Sequence, residues 1–233
     1  MTLPRPLAAL PPAAPLAIIL LALLAGCASR PPAPDWSLNA HDAAARATEA
    51  YLSGDSRVAD LEWSRARAEV ARTGRPDLLA RVELLRCAAQ RAALDLQPCT
   101  AFEALRPDAQ PPERAYADYL AGHLAPADAT LLPPAQRQAA QATQTTQTGA
   151  IVGIEDPLSR LVAASVAVQA GHSDDALLAA AADAASARGW RRPLLAWLGL
   201  RARVAAERGD AEAAAALQRR IALVQAQGAP QKP

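Results

Sequence analysis

Aromatic residues are scarce in this sequence: they make up 3% of the 233 residues, and phenylalanine occurs once. The core must therefore be built mainly from alanine, leucine and valine. Small side chains let helices approach one another closely. The composition thus favours a fold of stacked helices over a β-sandwich.

Net charge is nearly absent as well. The sequence holds 24 lysines and arginines against 23 aspartates and glutamates, for a formal net charge of +1. Proteins that bind nucleic acid present a basic face to the phosphate backbone. The charge balance argues against nucleic acid as a partner and against a polybasic membrane surface.

Catalytic and metal-binding motifs are missing too. The histidines His41, His123 and His172 each stand alone, and the sequence has no zinc-type histidine or cysteine spacing. It also lacks a Gly-x-Ser-x-Gly or Ser-x-x-Lys nucleophile motif and a glycine-rich phosphate loop. We therefore predict no catalytic residue, no metal, no cofactor and no enzymatic activity.

The N-terminal region carries the most specific pattern. An apolar run from Leu16 to Leu24 is followed by Ala25-Gly26 and then by Cys27. The run is shorter than the roughly 20 residues of a membrane span, and it fits the apolar region of about 7 to 15 residues in a secretory signal. Leu24-Ala25-Gly26-Cys27 resembles the lipobox of bacterial lipoproteins. An ordinary secretory signal and an uncleaved anchor are the alternatives.

The resemblance to lipoproteins implies an anchor and a location. Residues 1–26 would be removed as a signal peptide, and Cys27 would become the lipidated first residue. Residue 28 is alanine, whereas an aspartate there commonly retains such proteins in the inner membrane of Gram-negative cells. The expected location is the outer membrane, facing the periplasm. Removal of residues 1–26 takes away Arg5 and no acid, so the mature chain would be neutral.

Proline and glycine divide the rest of the chain into helical segments. Asp156-Pro157, for example, is typical of a helix start. Apolar residues at helical spacing, from Leu78 to Leu96, predict a helix there. The predicted regions are a proline-rich tether (27–35), an N-terminal helical half (36–135), a Gln/Thr-rich linker (136–154), a C-terminal helical half (155–227) and a tail (228–233). A solvent-exposed helix is the alternative for residues 136–148.

Three turns share a pattern of a glycine followed by small residues. Gly54 precedes Ala59, Trp63 and Ala66, and shorter versions follow Gly171 and Gly209. The pattern resembles the tetratricopeptide repeat, in which a small residue lets two antiparallel helices touch. We predict an all-α fold of stacked antiparallel helical hairpins, tetratricopeptide-like, with an irregular helical bundle as the alternative.

Two more sets of residues are singled out. Cys87 and Cys99 remain once Cys27 is lipidated, and an even pair in the oxidising periplasm predicts a disulfide. Two buried free thiols are the alternative. Trp190 follows Gly189 in a predicted turn. We expect it to be the most exposed tryptophan and a possible partner contact.

Two classes of function remain. The first is a lipid-anchored interaction scaffold or adaptor that binds an unidentified protein or peptide of the cell envelope. The alternative is an envelope enzyme that acts on peptidoglycan through a catalytic glutamate. Glu62, Glu103 and Glu113 are the candidates for that glutamate, although no surrounding motif supports them.

Overall fold

A computed structural model of the chain describes residues 32–145 and 147–226. Every regular element in these ranges is a helix, and no strand occurs in them. The described residues from Asp35 onward belong to one compact unit. The prediction of an all-α fold is confirmed.

The α-helices are α1 (Asp35–Ser53), α2 (Ser56–Ala71), α3 (Pro76–Ala92), α4 (Thr100–Glu103), α5 (Pro111–Leu120), α6 (Pro134–Gln144), α7 (Gly149–Val152), α8 (Pro157–Gln169), α9 (Asp175–Ala187), α10 (Arg191–Glu207) and α11 (Ala211–Ala226). Short 3₁₀ helices lie at Arg106–Asp108 and Pro126–Leu131. Over residues 32–145 and 147–226, no helix combines the length and the apolar character that crossing a membrane requires.

Aspartates begin several of these helices. Asp55, Asp156 and Asp174 precede α2, α8 and α9, and each carboxylate accepts a hydrogen bond from the backbone N–H three residues later, at 3.0, 2.7 and 2.9 Å. Such bonds satisfy donors that the first helical turn leaves unpaired. Capping therefore accounts for these carboxylates, and Asp156-Pro157 starts a helix as predicted.

Helix α3 ends earlier than its apolar pattern predicts. Leu94 takes a positive φ of 57°, and the N–H of Asp95 bonds to the carbonyl of Gln90 at 3.1 Å. This backbone turn closes helices, and it usually has glycine at the left-handed position. The helix stops at Ala92. Leu96, the last residue of the predicted face, therefore lies outside it and is 45% exposed.

Buried apolar residues form two clusters. The hairpin cluster lies between α1, α2 and the start of α3, and it comprises Ala40, Ala43, Ala44, Ala47, Ala59, Trp63, Ala66, Val70 and Val82. The main cluster extends from the end of α1 through α3 to α11. Helix α8 lies inside it, since every residue from Leu161 to Ala167 is buried. Helices α3, α5, α6, α7 and α9 all contact α8.

Consecutive helices pair along much of the chain. Helix α1 packs against α2, α9 against α10, and α10 against α11. Contacts between α3 and α8, and between α1 and α10, join parts of the chain that are far apart in sequence. Contact between consecutive helices across a short turn, as in α1 and α2, is what hairpins require. Their stacking in the tetratricopeptide manner stays a prediction.

The region expected to be a linker or an exposed helix, residues 136–154, is helical over residues 136–144 and 149–152. Residues up to Gln144 belong to α6, and Gln136, Ala139, Ala140 and Ala142 are buried in it. Helix α6 packs against α8 through this alanine face. A search for large apolar residues overlooks such a face, although alanine is the best helix former and allows close packing.

Candidate binding cleft

A cleft opens at the end of the main cluster where α3, α5, α6 and α8 terminate. Its volume is about 550 Å³. The apolar part of its lining includes Leu96, Leu124, Ala140 and Val166, and the polar part includes His123, Thr143, Gln144 and Gln169. Among the described residues that line it, none is an aspartate, glutamate, lysine or arginine. The cleft thus offers an apolar surface with an uncharged polar edge.

The carbonyl ends of the four helices meet at this cleft. Each helix contributes lining residues from its last turn or from the segment just after it. The C-terminal end of a helix carries a partial negative charge, because its last carbonyl groups lack partners in the helix. In α5, α6 and α8 the last turn holds no basic residue, whereas α3 has Arg91 there.

Arg91 neutralises part of that charge from inside the protein. Its side chain is buried, with 3% exposure. The Nε group donates to the carbonyl of Leu120 at 3.0 Å, and a terminal nitrogen donates to the carbonyl of Asp95 at 2.6 Å. Burial lowers the pKa of Arg91, and the charge of Asp95 raises it. Arg91 therefore satisfies the ends of α3 and α5 but does not reach α6 or α8.

One wall of the cleft is fixed by a buried polar network. The Tyr119 hydroxyl donates to Oε1 of Gln136 at 2.8 Å, and Nε2 of Gln136 donates to the carbonyl of Ser159 at 3.2 Å. The Tyr116 ring stacks on Tyr119 with 6.1 Å between centroids. Burial raises the pKa of Tyr119 above its ordinary range. The hydroxyl hence stays protonated and holds α5, α6 and α8 together.

The expected exposure of Trp190 is wrong, because the residue is only 5% exposed. Gly189, with φ of 66°, turns the chain so that the Trp190 N–H bonds to the carbonyl of Ala185 at 3.0 Å. An apolar residue after such a turn commonly packs back on its helix. The indole Nε1 donates to both carboxylate oxygens of Glu49, at 2.9 and 3.0 Å. Trp190 is thereby part of a structural contact.

That contact belongs to a joint between α1 and the start of α10, which we call the α1–α10 joint. Arg192 donates from Nε to the carbonyl of Tyr51 and from a terminal nitrogen to Oγ of Ser56, both at 2.7 Å. Its guanidinium lies 4.3 Å from the centroid of the Tyr51 ring. Burial raises the pKa of the Tyr51 hydroxyl, and the charge of Arg192 lowers it. Trp190, Glu49, Arg192, Tyr51 and Ser56 together attach the hairpin cluster to the main cluster.

The three candidate glutamates are all paired with arginines outside the cleft. Glu62 is buried between Arg46 and Arg65. Glu103 forms a bidentate ion pair with Arg106. The hydrogen bond from Arg106 lowers the pKa of Glu103, whereas a general acid needs a raised one.

Glu113 differs from the other two. It is buried, with 8% exposure, and Oε1 accepts a bond from Nε of Arg81 at 2.6 Å. Oε2 is buried without a hydrogen-bond partner among the described residues. Glu113 also lines a separate groove of about 370 Å³ beside Tyr116. Among the three candidate glutamates, Glu113 is the one with a buried carboxylate oxygen that has no hydrogen-bond partner among the described residues.

The structure brings Cys87 and Cys99 together. Their Cα atoms lie 5.8 Å apart, within the limit of about 7 Å for a disulfide. Cys87 is buried in α3, and Cys99 directly precedes α4. The predicted proximity is confirmed.

Metal-type clusters are not found in the described part of the chain: no three histidine, cysteine, aspartate or glutamate side chains are grouped there. Cys27, the predicted lipidation site, lies outside the described residues.

None of the residues that line this cleft was predicted from the sequence to contact a partner. A glycine turn such as the one at Gly171 indicates where a helix ends, but it does not reveal which helix ends become neighbours. The alanine face of α6 was the available clue, because it required a partner to pack against. Comparison of the chain with protein-family models, curated proteins and solved structures found no match.

Proposed function

We propose that this chain is a lipid-anchored periplasmic adaptor that binds a segment of another envelope protein in the cleft of α3, α5, α6 and α8. The observation that carries the proposal is the cleft itself, with apolar walls, an uncharged polar edge and a volume of about 550 Å³. That volume falls within the roughly 300–1,000 Å³ of ordinary ligand sites. Apolar walls with a few polar groups suit the side chains of a bound peptide.

The lining also argues against an enzyme at this place. His123 and Tyr119 are the titratable side chains in it, and the pKa of Tyr119 is raised above its ordinary range. Among the described residues, no carboxylate or cation of the lining stands ready to activate His123. A histidine that acts as a catalytic base is normally oriented by a neighbouring polar or charged group. The cleft is better suited to binding than to chemistry.

A photo-cross-linking experiment in intact cells tests the binding site. A photoreactive residue replaces Gln144, which is exposed at the edge of the cleft, in the full-length protein. We expect a specific adduct with an envelope protein. Thr143→Trp, which fills the cleft from the adjoining position, should abolish that adduct. A photoreactive residue at Asp42, exposed on α1, is the matched control and should give no adduct.

Adducts at position 144 that persist in the Thr143→Trp protein would show that the partner does not use the cleft. Gln169→Trp fills the same space from α8 and guards against a local effect of the first substitution. Circular dichroism of both variants confirms that the helices are retained.

The proposed anchor has its own test. Wild-type protein should incorporate a labelled fatty acid, and Cys27→Ala should not. Fractionation should place the wild-type protein in the outer membrane, and Ala28→Asp should shift it to the inner membrane. Absence of label on the wild-type protein would overturn lipidation, whereas a wild-type protein in the inner membrane would overturn only the sorting inference.

Glu113 supports the second candidate function, an enzyme acting on peptidoglycan. Its buried and unpartnered Oε2 beside a groove is the relevant observation. Its other oxygen, Oε1, is held in an ion pair with Arg81, so we expect no turnover of purified peptidoglycan. Turnover by the wild-type protein that disappears in Glu113→Gln, but persists in Glu103→Gln, would establish the enzyme in place of the adaptor.

A further inference from the structure

We propose that the cleft selects a peptide segment in which a lysine or arginine stands next to an apolar residue. This inference rests on the proposed function, because it specifies the ligand of the same cleft. It is based on two features of the cleft. The described lining residues carry no charged side chain, and four helices point their partially negative C-terminal ends toward the cleft.

The uncompensated negative ends belong to α6 and α8. The end of α5 is satisfied at Leu120 by Arg91, and the carbonyl of Ala92 at the end of α3 accepts a bond from Nε1 of Trp197 at 2.9 Å. The last carbonyls of α6 and α8, at Gln144 and Gln169, have no donor among the described residues. Both residues line the cleft.

A cation is the partner that these ends favour. A helix C-terminus behaves as about half a negative charge, and cations near it are stabilised. No lysine or arginine among the described lining residues supplies that cation. The ammonium or guanidinium of a ligand would also donate hydrogen bonds to the carbonyls of Gln144 and Gln169.

The apolar walls account for the rest of the ligand. Leu96 is 45% exposed at the cleft, with Leu124 and Val166 further along the lining. The aliphatic stem of lysine or arginine packs on such a surface while its charged end reaches polar groups. A neighbouring apolar side chain of the same peptide would fill the remaining volume. A purely acidic segment would meet repulsion from the helix ends.

Three synthetic peptides test this selectivity. They share the same acetylated, leucine-containing sequence and differ at one central position, which is lysine, glutamine or glutamate. Binding is measured by calorimetry to the full-length lipidated protein in lipid nanodiscs, with empty nanodiscs as the blank. We expect the lysine peptide to bind about 3-fold to 30-fold more tightly than the glutamine peptide, which corresponds to two helix ends. The glutamate peptide should bind most weakly.

A charge placed on the protein sharpens the test. Gln144→Arg supplies a cation at the end of α6 and should remove the preference for lysine. Gln138→Arg lies on the same helix before its last turn, is exposed and does not line the cleft; this matched control should keep the preference. Raising the salt concentration should narrow the gap between the lysine and glutamate peptides, because exposed charges are screened.

The outcomes separate the two proposals. Equal binding of all three peptides, sensitive to Thr143→Trp, would overturn the charge preference and leave the adaptor proposal standing. If no peptide binds and photo-cross-links at position 144 persist in the Thr143→Trp protein, both the charge preference and the adaptor proposal are overturned. Tighter binding of the glutamate peptide would contradict the electrostatic argument directly.

Discussion

The hairpin cluster and the main cluster make up for the shortage of aromatic residues in different ways. In the hairpin cluster, alanines of α1 and α2 surround one large side chain, Trp63. In the main cluster, leucines and valines share the interior with several rings, among them Phe102, Tyr119 and Trp197. The hairpin cluster depends on a single large ring to fill its interior, whereas several large side chains fill the interior of the main cluster.

Buried polar groups differ between the clusters in the same sense. Around the hairpin cluster, side-chain pairs connect neighbouring helices: Arg46 of α1 with Glu62 of α2, and Arg67 of α2 with Glu83 of α3. In the main cluster, Tyr119 and Gln136 also form a side-chain pair, but Arg91 and Trp197 bond to backbone carbonyls. Ion pairs need two intact side chains, while a backbone acceptor is always present. The hairpin should therefore be the part that opens first.

Replacement of the central tryptophan of each cluster should have the largest effect on stability and should show whether the two clusters open independently. Trp63→Ala and Trp197→Ala each remove a fully buried ring, at an expected cost of about 3–5 kcal/mol in the free energy of unfolding. For Trp63→Ala, hydrogen exchange should accelerate mainly in α1 and α2; for Trp197→Ala, it should accelerate throughout α3 to α10. Leu38→Ala, at a position of α1 that is 53% exposed, is the control and should change little. Uniform acceleration in Trp63→Ala would show that the hairpin does not open independently.

Opening the Cys87–Cys99 link should act on the main cluster only. A disulfide that closes a loop of this size contributes about 3 kcal/mol through the entropy of the unfolded chain, and the two residues are 12 apart in sequence. We expect dithiothreitol to lower the melting temperature of the wild-type protein. The Cys87→Ala/Cys99→Ala double variant should melt at that lower temperature with or without the reductant. A reductant effect in the double variant would mean that the thiol pair is not responsible.

Glu62→Gln tests the ion pairs of the hairpin. Glu62 is 5% exposed and lies between two arginines whose side chains are each 57% exposed. Because the arginines stay partly solvated, we expect a loss of about 1–2 kcal/mol, below the value for a fully buried pair. Urea unfolding measures it. Glu103→Gln, an exposed pair, should change stability by less than about 0.5 kcal/mol, and equal effects would contradict the burial argument.

The smallest effect is expected at the α1–α10 joint. Glu49→Ala removes the acceptor of the Trp190 indole, which leaves Trp190 otherwise packed. Since the Glu49 side chain is 52% exposed, the loss should be about 0.5–1 kcal/mol. Tryptophan fluorescence should shift to longer wavelength as water reaches the ring. Glu207→Ala, in an exposed pair with Arg203, should leave the fluorescence unchanged.

The two regions also differ in how far they were predictable. The α1–α2 hairpin follows from local signals, the turn at Gly54 and the small residues Ala59 and Ala66, because its partners are neighbours in sequence. The cleft depends on the meeting of α3, α5, α6 and α8, which no local signal specifies. Trp190 shows a further limit, since a glycine turn was interpreted as exposure when the residue after it packs inward.

Helix α8 has a consequence for the order in which the molecule assembles. It begins at Pro157 and lies inside the main cluster, in contact with α3, α5, α6, α7 and α9. During synthesis the chain emerges from its N-terminus, so α1 and α2 can pair early. The apolar faces of α3 and α6 stay open to water until Pro157 and the residues after it arrive. Over that interval the partly emerged chain is exposed to aggregation and open to a chaperone, because the main cluster cannot form around its centre before this late helix arrives.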